Sequence, residues 1–472
     1  MTQHRHDGLC GRAGDHVRIR GEREDSIGCT ENIVRALSSP AAPVAAHDAL
    51  RALAPPSAVK RNTLLLAASQ AFVGVGNQMV PTLGAIIVAR LLGSAHLAGM
   101  ATSSLGVSRF LVSYPIGRVA DVYGRRIAVV LGLLFGLAGA LGTGLSVISG
   151  SFVLFLASIL VFGAGVSAGY QLRVAAADMY PPRRRAEGLG FVLTGSLVGA
   201  FGGPILITAA EAWSGPLGLD PLGLTWILVP AVIVPGIGLV LAVHPDPKEI
   251  AADLGRYHPG YSPPPEQVME GAGPTAVLSW LRDPRLQTAF AANFAAQGTM
   301  SMIMAFTSLA LEHHGHPLPV ISVAVTIHVI GMFGLSLPLG WLADRAGRRT
   351  VMVLGFVFLG GGAILVAATP RYWMIVTGTF MVGVGWSATT VAATAVIADV
   401  ARAFERGRAI GANDTASAAA AVMLPLLAGP AVEFFGLSAL GMLGAGLMVP
   451  PFVLVLTRMN NTNPKPSPSE EP

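Results

Sequence analysis

The sequence predicts an all-α integral membrane protein, with twelve transmembrane helices arranged as two pseudo-symmetric six-helix bundles. Three observations predict it. Of 472 residues, 52% are hydrophobic and only 12% are charged, against about 25% charged in an ordinary soluble domain. Twelve separate apolar stretches have the length of roughly 20 residues that a helix needs to cross a bilayer core of about 30 Å. Finally, one ten-residue pattern occurs twice: Gly117 to Arg126 reads G-R-V-A-D-V-Y-G-R-R, and Gly340 to Arg349 reads G-W-L-A-D-R-A-G-R-R. Each copy sits between two apolar runs, as expected of a chain built from two related halves.

Ahead of the helices, Met1 to Arg61 mixes charge, Gly and Pro without a sustained apolar core. It is expected to be a disordered leader (1–61), and it lacks the apolar h-region of a cleaved signal peptide. Both cysteines, Cys10 and Cys29, fall in it, so the membrane part has no disulfide and no thiolate metal site. The N-terminal bundle is expected over 62–243. Its apolar runs are Thr63 to Ala89, His96 to Gly117, Ile127 to Ile148, Ser151 to Arg173, Ala186 to Ala210 and Gly223 to Val243. The stretch 244–285, rich in Pro, Gly and charge, is expected to be a cytoplasmic central loop. The C-terminal bundle is expected over 286–457, with runs Leu286 to Leu311, Pro319 to Leu339, Thr350 to Thr369, Arg371 to Ala398, Arg406 to Glu433 and Leu437 to Leu456. A disordered tail, 458–472, follows.

A second repeat pairs the same halves. Ala177-Asp178, followed by Arg183-Arg184-Arg185 and Gly190, matches Ala398-Asp399, followed by Arg406, Arg408 and Gly411, and Pro204 then falls on Pro425. The fourth and fifth helices thus map onto the tenth and eleventh. The net charge of +5 has a matching logic. Nine of 31 basic residues precede Asn62, nineteen lie in alternate loops or the tail, and only Arg90, Arg109 and Arg371 lie elsewhere. That asymmetry is the positive-inside signature, which places both termini in the cytoplasm of a cell (inner) membrane protein and argues against a nucleic-acid-binding face.

With the paired G-x-x-x-D-x-x-G-R-R turns, the chain resembles the major facilitator superfamily of transporters from Thr63 to about Leu456. The resemblance implies a conformational latch formed by Gly117, Asp121, Gly124, Arg125 and Arg126 and by Gly340, Asp344, Gly347, Arg348 and Arg349. It implies Asp178 and Asp399 as their partners, contacts with the ends of helices four and eleven, and a role in holding the outward-open state. The chemistry suits such a latch: Gly permits tight turning, an Asp near a helix N-terminus meets its positive dipole end, and Arg offers forked donors. In helix five, Gly190, Gly199, Gly203 and Pro204 fit the first part of the superfamily's antiporter motif, whereas Ile207 and Thr208 replace its final glycines. Ile159 stands where drug antiporters of the superfamily commonly carry an intramembrane Arg.

Polar residues at membrane depth ask for a cavity or a partner. Helix one carries Gln70, Asn77 and Gln78, and helix seven carries Asn293, Gln297 and Ser301 at i, i+4, i+8 spacing. Two equivalent helices each presenting an amide stripe predict a central, uncharged substrate cavity; the alternative is that the amides only bond helix to helix. Trp386, Met300, Met302, Met304 and Phe306 are candidates for an adaptable apolar wall, or for ordinary packing. Glu312, His313, His314 and His316 read as a wet outer rim rather than a metal site.

No nucleophile motif, phosphate-cradling loop or metal-ligand spacing occurs, so the sequence supports neither an enzyme nor an ATP-driven pump, and no cofactor or metal is expected. The expected function is a monomeric secondary transporter in a lipid bilayer that moves a small organic molecule, exporting it in exchange for protons. The alternatives are a proton-coupled uptake symporter for a sugar or organic acid, and a sensor or scaffold that has lost transport. Candidate proton-coupling residues are His328, which titrates near neutrality, and the pair Arg109 and Asp414, two full charges within predicted spans. Counted at about 1.5 Å per residue, Arg109 lies some 18 Å from Asp121 and Asp414 some 12 Å from Arg406, a mismatch that a long Arg can bridge. Alternatively, Arg109 snorkels and Asp414 is solvated. Reversing the charges of Arg109 and Asp414 together is expected to restore part of the flux lost in either single reversal; absence of recovery excludes the pair.

Overall fold

The computed structural model describes residues 57–181, 184–258, 261, 282–368, 370–401, 406–436 and 438–459. These residues form helices and short connections, with no strand among them. The first half comprises α1 (Ser57–Leu92), α2 (Met100–Tyr123), α3 (Arg125–Ser149), α4 (Phe152–Asp178), α5 (Arg185–Ala200 continuing as Gly202–Leu217) and α6 (Pro221–Leu241). The second comprises α7 (Pro284–His313), α8 (Leu318–Gly334 continuing as Ser336–Ala346), α9 (Arg348–Ala368), α10 (Tyr372–Val400), α11 (Arg406–Phe435) and α12 (Ser438–Arg458). Eleven of the twelve are apolar and long enough to cross a membrane. The remaining one, α2, has 24 residues, about 36 Å of helix, but carries Arg109, Arg118 and Asp121.

Several helices exceed the apolar runs that announced them, because hydrophobicity marks the bilayer crossing whereas the hydrogen-bond ladder continues past it. α1 starts at Ser57, so residues 57–61, counted with the leader, are helical, and a π-helical turn at Val80–Gly84 interrupts it. α4 continues beyond Arg173 to Asp178, which puts Arg173 inside the helix rather than at its end. The central stretch 244–285 holds two short helices, Pro247–Ala252 and Leu254–Tyr257, the first capped by Asp246 and the second by Asp253. Residues 1–56 with both cysteines, most of 259–281, and 460–472 lie outside the described residues.

Both copies of the repeated motif are more helical than a loop reading suggests. Gly117 and Asp121 belong to α2, and Gly340 and Asp344 to α8; the chain reverses only at Gly124 and Gly347. These two have φ of +102° and +90°, values that a side chain makes costly.

Lipid offers no hydrophobic drive between helices, so close packing must come from small side chains. The equivalent pairs α3·α4 and α9·α10 illustrate this. A Cβ on Gly139 would lie 2.3 Å from the Phe162 amide nitrogen, and one on Gly385 would lie 2.6 Å from the Gly355 carbonyl oxygen. In α5, Gly195 and Gly199 bring the backbone onto α1, where a Cβ would meet the Ala67 and Ala71 carbonyl oxygens at 2.1 and 2.3 Å. Outward-facing Val153, Ile205 and Leu337 are more than two-thirds exposed, as lipid-facing residues must be.

Gly124→Val is expected to lower stability by about 1–3 kcal/mol through its positive φ, and further because its Cβ would lie 2.7 Å from Asp246 Oδ2. Gly117→Ala, whose Cβ would touch nothing within 4 Å inside α2, is expected to leave stability unchanged or raise it by up to about 1 kcal/mol. Thermal unfolding in detergent compares the two, and equal losses would contradict the turn geometry.

Candidate functional site

The two motif copies build near-identical charge clusters. Arg125 reaches Asp121 Oδ1 one turn earlier, at 3.2 Å, and Asp178 Oδ2 at the end of α4, at 3.0 Å. Arg348 likewise pairs with Asp344 and, at 3.5 Å, with Asp399 Oδ2 at the end of α10. The following arginine ties down the last helix of each half: Arg126 donates to the Val243 carbonyl at 3.4 Å, and Arg349 to the Leu456 carbonyl at 3.1 Å. Asp178 and Asp399 thus form ion pairs with Arg125 and Arg348. The contacts run inside each half, however, and the second copy's acidic partner is on α10, not α11. The outer acids Asp121 and Asp344 are 70% and 67% exposed, so each such pair contributes roughly 0–1 kcal/mol.

The carboxylate at the N-terminus of α3 is Asp246, not Asp121. Its oxygens accept from the Arg125 and Arg126 amides at 3.1 and 3.0 Å, where the helix dipole favours negative charge. Lys248, two residues on, donates to the Val122 carbonyl at 3.1 Å and to that of Asp121, at the opposite pole of α2. Neither residue was recognisable as part of the motif, because both arrive from more than 100 residues away.

The halves join from mid-helix to the end opposite these motifs. Ser103 donates to the Val422 carbonyl at 2.7 Å, Ser308 to that of Pro81 at 2.7 Å, and Thr326 to that of Ala200 at 2.9 Å. At the rim, Arg90 pairs with Glu312 at 2.7 Å and Asp220 at 3.6 Å, and His96 faces Glu433 at 3.3 Å. Glu312 is thus part of an inter-half ion pair; among the described residues no group of acids, His and Cys is arranged to hold a metal. Glycines measure how tight each end is. A Cβ on Gly99 or Gly429, at the joined end, would strike a backbone oxygen at 2.3 or 1.9 Å; on Gly117, Gly190 or Gly411, at the motif end, it would meet nothing within 4 Å.

Between the halves, beneath the joined end, lies a cavity of about 240 Å³. Gln70, Asn77 and Gln78 from α1 and Gln297 and Ser301 from α7 line it, as do Met300, Met304 and His328. Gln70 donates to Ser196 at 2.9 Å, and Gln297 is held between Ser301 at 3.1 Å and the Trp386 indole at 2.9 Å. Trp386 therefore acts through Gln297. Asn293 is not a lining residue: it is buried and donates to Asn413 of α11 at 3.1 Å, joining two helices. Met302 and Phe306 are buried in packing, and His328 Nδ1–H donates to the Thr379 carbonyl at 2.7 Å. In helix five, Gly199 is a packing residue against α1, and Gly203 lies 3.3 Å, at its would-be Cβ, from Ser322 across the halves; Pro204 continues the helix.

The cavity is not uncharged. Arg109 from α2 and Arg173 from α4 line it, their guanidinium carbons 4.1 and 4.8 Å from the centre of the Tyr170 ring that lies between them. Arg173 also lies 5.8 Å from the Phe333 ring of α8, across the cavity, and its NH2 is 3.5 Å from Ser196 Oγ. Arg109 feels the charge of Asp414, which is exposed on α11 and hydrogen-bonded by Asn413 at 3.5 Å. Arg173 was missed because the apolar run ends on it. The helix-forming Val-Ala-Ala-Ala segment that follows was the available signal.

The Major Facilitator Superfamily model matches residues 66–297 and 288–472. An MFS-type transporter of Bacillus subtilis, YdeG, is 26% identical over 404 residues, covering 84% of this chain and 91% of the relative. The riboflavin transporter RfnT of Brucella anthropi is 27% identical over 367 residues, covering 76% and 85%. Among solved structures, a bacterial homologue of the human lysosomal transporter Spinster, in an inward-facing and unoccupied conformation, superposes with a TM-score of 0.64 at 16% identity, covering 85% of this chain and 95% of that one. At that identity the likeness concerns the fold.

Because Asn293 donates to the Asn413 side-chain oxygen in a buried site, Asn293→Leu alone is expected to cost about 1–3 kcal/mol by stranding that oxygen. Adding Asn413→Leu should recover at least half of that loss. Unfolding in detergent checks this, and a double variant as unstable as the summed singles would refute the pairing.

Proposed function

We propose that this chain, which belongs to the major facilitator superfamily, is a secondary active transporter that moves a small organic molecule by alternating access across the cell (inner) membrane. The observation that carries the proposal is one cavity lined by both halves, with the helices pressed together at one of its ends and loose at the other. The superfamily match and the transporters among the relatives support transport as the activity. With the motif turns in the cytoplasm, as the positive-inside asymmetry has it, the described arrangement is open toward the cytoplasm and sealed outside by the Arg90, Glu312 and Asp220 cluster.

In the cycle we propose, the motif ends approach one another as the outer seal parts. Arg125 and Arg348 keep each half rigid while it rocks, and their exposed pairs are weak enough to rearrange in every cycle. Protons exchange for substrate through Asp414, whose charge competes for Arg109 as the halves move. His328, with its ring fixed to a backbone carbonyl, serves as packing. The partial helix-five motif, Gly190, Gly199, Gly203 and Pro204, supports export over uptake. A second reading, uptake of an organic acid together with protons, draws on Arg109 and Arg173 in the cavity wall.

Flux into proteoliposomes decides the coupling, with riboflavin and a set of radiolabelled small organic acids as probes. Proton-coupled export is expected to drive accumulation when the lumen is more acidic than the bath, and a protonophore should abolish it. Accumulation with the opposite gradient establishes the symport reading, and flux indifferent to pH removes proton coupling. Absence of flux for every probe, together with unchanged uptake and efflux in a deletion strain, would favour a non-transporting sensor or scaffold.

A further inference from the structure

We infer that the cavity selects a small neutral molecule carrying an N–H donor and a carbonyl acceptor, as a carboxamide or lactam does, with the donor directed to Gln70 Oε1 and the acceptor to Arg173 Nε. The inference rests on the transport reading and deepens it by naming the substrate class.

Unmet hydrogen bonds come first. Among the described residues, seven buried side-chain atoms have no hydrogen-bond partner, and only two of them, Gln70 Oε1 and Arg173 Nε, belong to residues that line the cavity. Gln70 is 1% exposed, so its amide is shielded from bulk water. A buried polar atom without a partner is costly anywhere, and polar groups at membrane depth are costly in themselves. The two atoms are of opposite kind: a carbonyl oxygen that can only accept, and an N–H that can only donate.

Their neighbours fix where they stand. Ser196 Oγ, on α5, accepts from Gln70 Nε2 at 2.9 Å and lies 3.5 Å from Arg173 NH2. One hydroxyl thus ties the α1 amide to the α4 guanidinium. Each planar group spends one nitrogen on Ser196 and keeps its other atom, Oε1 or Nε, on the near side of the cavity, where a single solute can meet both. Arg173 is held further by the Tyr170 ring at 4.8 Å and the Phe333 ring at 5.8 Å. Arg109, also stacked on Tyr170, is already engaged within the protein and takes no part in the proposed contacts.

What satisfies both atoms then follows from their chemistry. A carboxylate accepts from Arg173 Nε but has no proton for Gln70 Oε1 and sets its charge against that oxygen. An ammonium group donates to Gln70 but meets the positive charge of Arg173. A ketone serves one atom only. A carboxamide or lactam serves both and carries no charge. Met300, Met304 and Phe333 of the second half supply an adaptable apolar wall for the rest of the molecule. At roughly 30 Å³ per water, 240 Å³ holds about eight waters, which suits a single-ring molecule better than a drug-sized one.

The test uses the purified full-length protein in detergent and four probes: benzamide, its isosteres acetophenone and benzoate, and benzylamine. Acetophenone keeps the carbonyl and loses the N–H, benzoate keeps acceptors alone and adds charge, and benzylamine keeps only donors. Calorimetric titration is expected to show benzamide binding at least fivefold tighter than each of the other three. Gln70→Leu should narrow the preference for benzamide over acetophenone to less than twofold, because the donor then meets no acceptor. Arg173→Met should weaken benzamide and acetophenone alike, by fivefold or more. A preference below fivefold in the unaltered protein, no binding by any probe, or either folded variant falling short of its stated effect would overturn the inference. If the variants fail to fold, the ranking of the four probes by the unaltered protein decides. Selective binding of benzamide without flux of any carboxamide would count against transport alone; flux that favours benzoate or acetophenone over benzamide would count against the donor–acceptor site alone.

Discussion

The cost of placing charge inside a bilayer governs this structure. On insertion scales an Arg or Asp at the centre of a crossing helix costs about 2.5–3.5 kcal/mol, and the chain answers by moving nearly all its charge to helix ends. There it binds one end to another. Arg125 joins α2, α3 and α4 through two carboxylates, and Arg126 adds the last residues before the central stretch through the Val243 carbonyl. Few strong contacts are needed elsewhere, because glycine-mediated backbone approach holds helix pairs such as α3·α4 and α9·α10. Gln70, Asn77, Gln297, Arg109 and Arg173 line the space between the halves, whereas Asn293 bonds Asn413 inside the second half.

The symmetry between halves is chemical as well as topological, and its lapses are informative. Arg125, Asp121 and Asp178 have their counterparts in Arg348, Asp344 and Asp399, and Arg126 has one in Arg349. In the cavity the equivalence breaks. The first half supplies two arginines stacked on Tyr170, whereas the second supplies methionines, Phe333 and the Gln297–Trp386 pair. A symmetric scaffold thus encloses an asymmetric chamber, with both arginines on one side and the methionines on the other.

What could be read from the sequence follows the range of the interactions. Twelve crossings are legible because each is a local property of some 20 consecutive residues. The acidic partners Asp178 and Asp399 are legible because the superfamily resemblance supplies a contact that local spacing does not. Gln70 and Gln297 are legible as amides with no business in lipid, but Asn293, equally polar, turns out to bond Asn413, since a stripe on one helix cannot say what faces it. Asp246 and Lys248 look like ordinary loop charges until the chain folds back and sets them against the ends of α3 and α2. Arg173 was hidden differently. A hydropathy boundary assigns a charged residue to the helix end, whereas here the helix carries it about 8 Å inward from Asp178.

The glycines add a constraint that a single static arrangement does not meet. A glycine within a helix costs roughly 1 kcal/mol relative to alanine, and close approach is what offsets that cost. Gly99 and Gly429 are offset in this way at the joined end, where any side chain would collide with backbone. Gly117, Gly190 and Gly411 are not, since a Cβ on each would meet open space. They lie at the motif end, on α2, α5 and α11, and Gly190 and Gly411 hold equivalent places in the two halves. Within the alternating-access reading their cost is offset in the other arrangement, in which these surfaces come together and the ones now touching separate. The helices then carry two sets of small residues, one used in each state, and the small difference between the two packings is what a bound solute and a proton can tip.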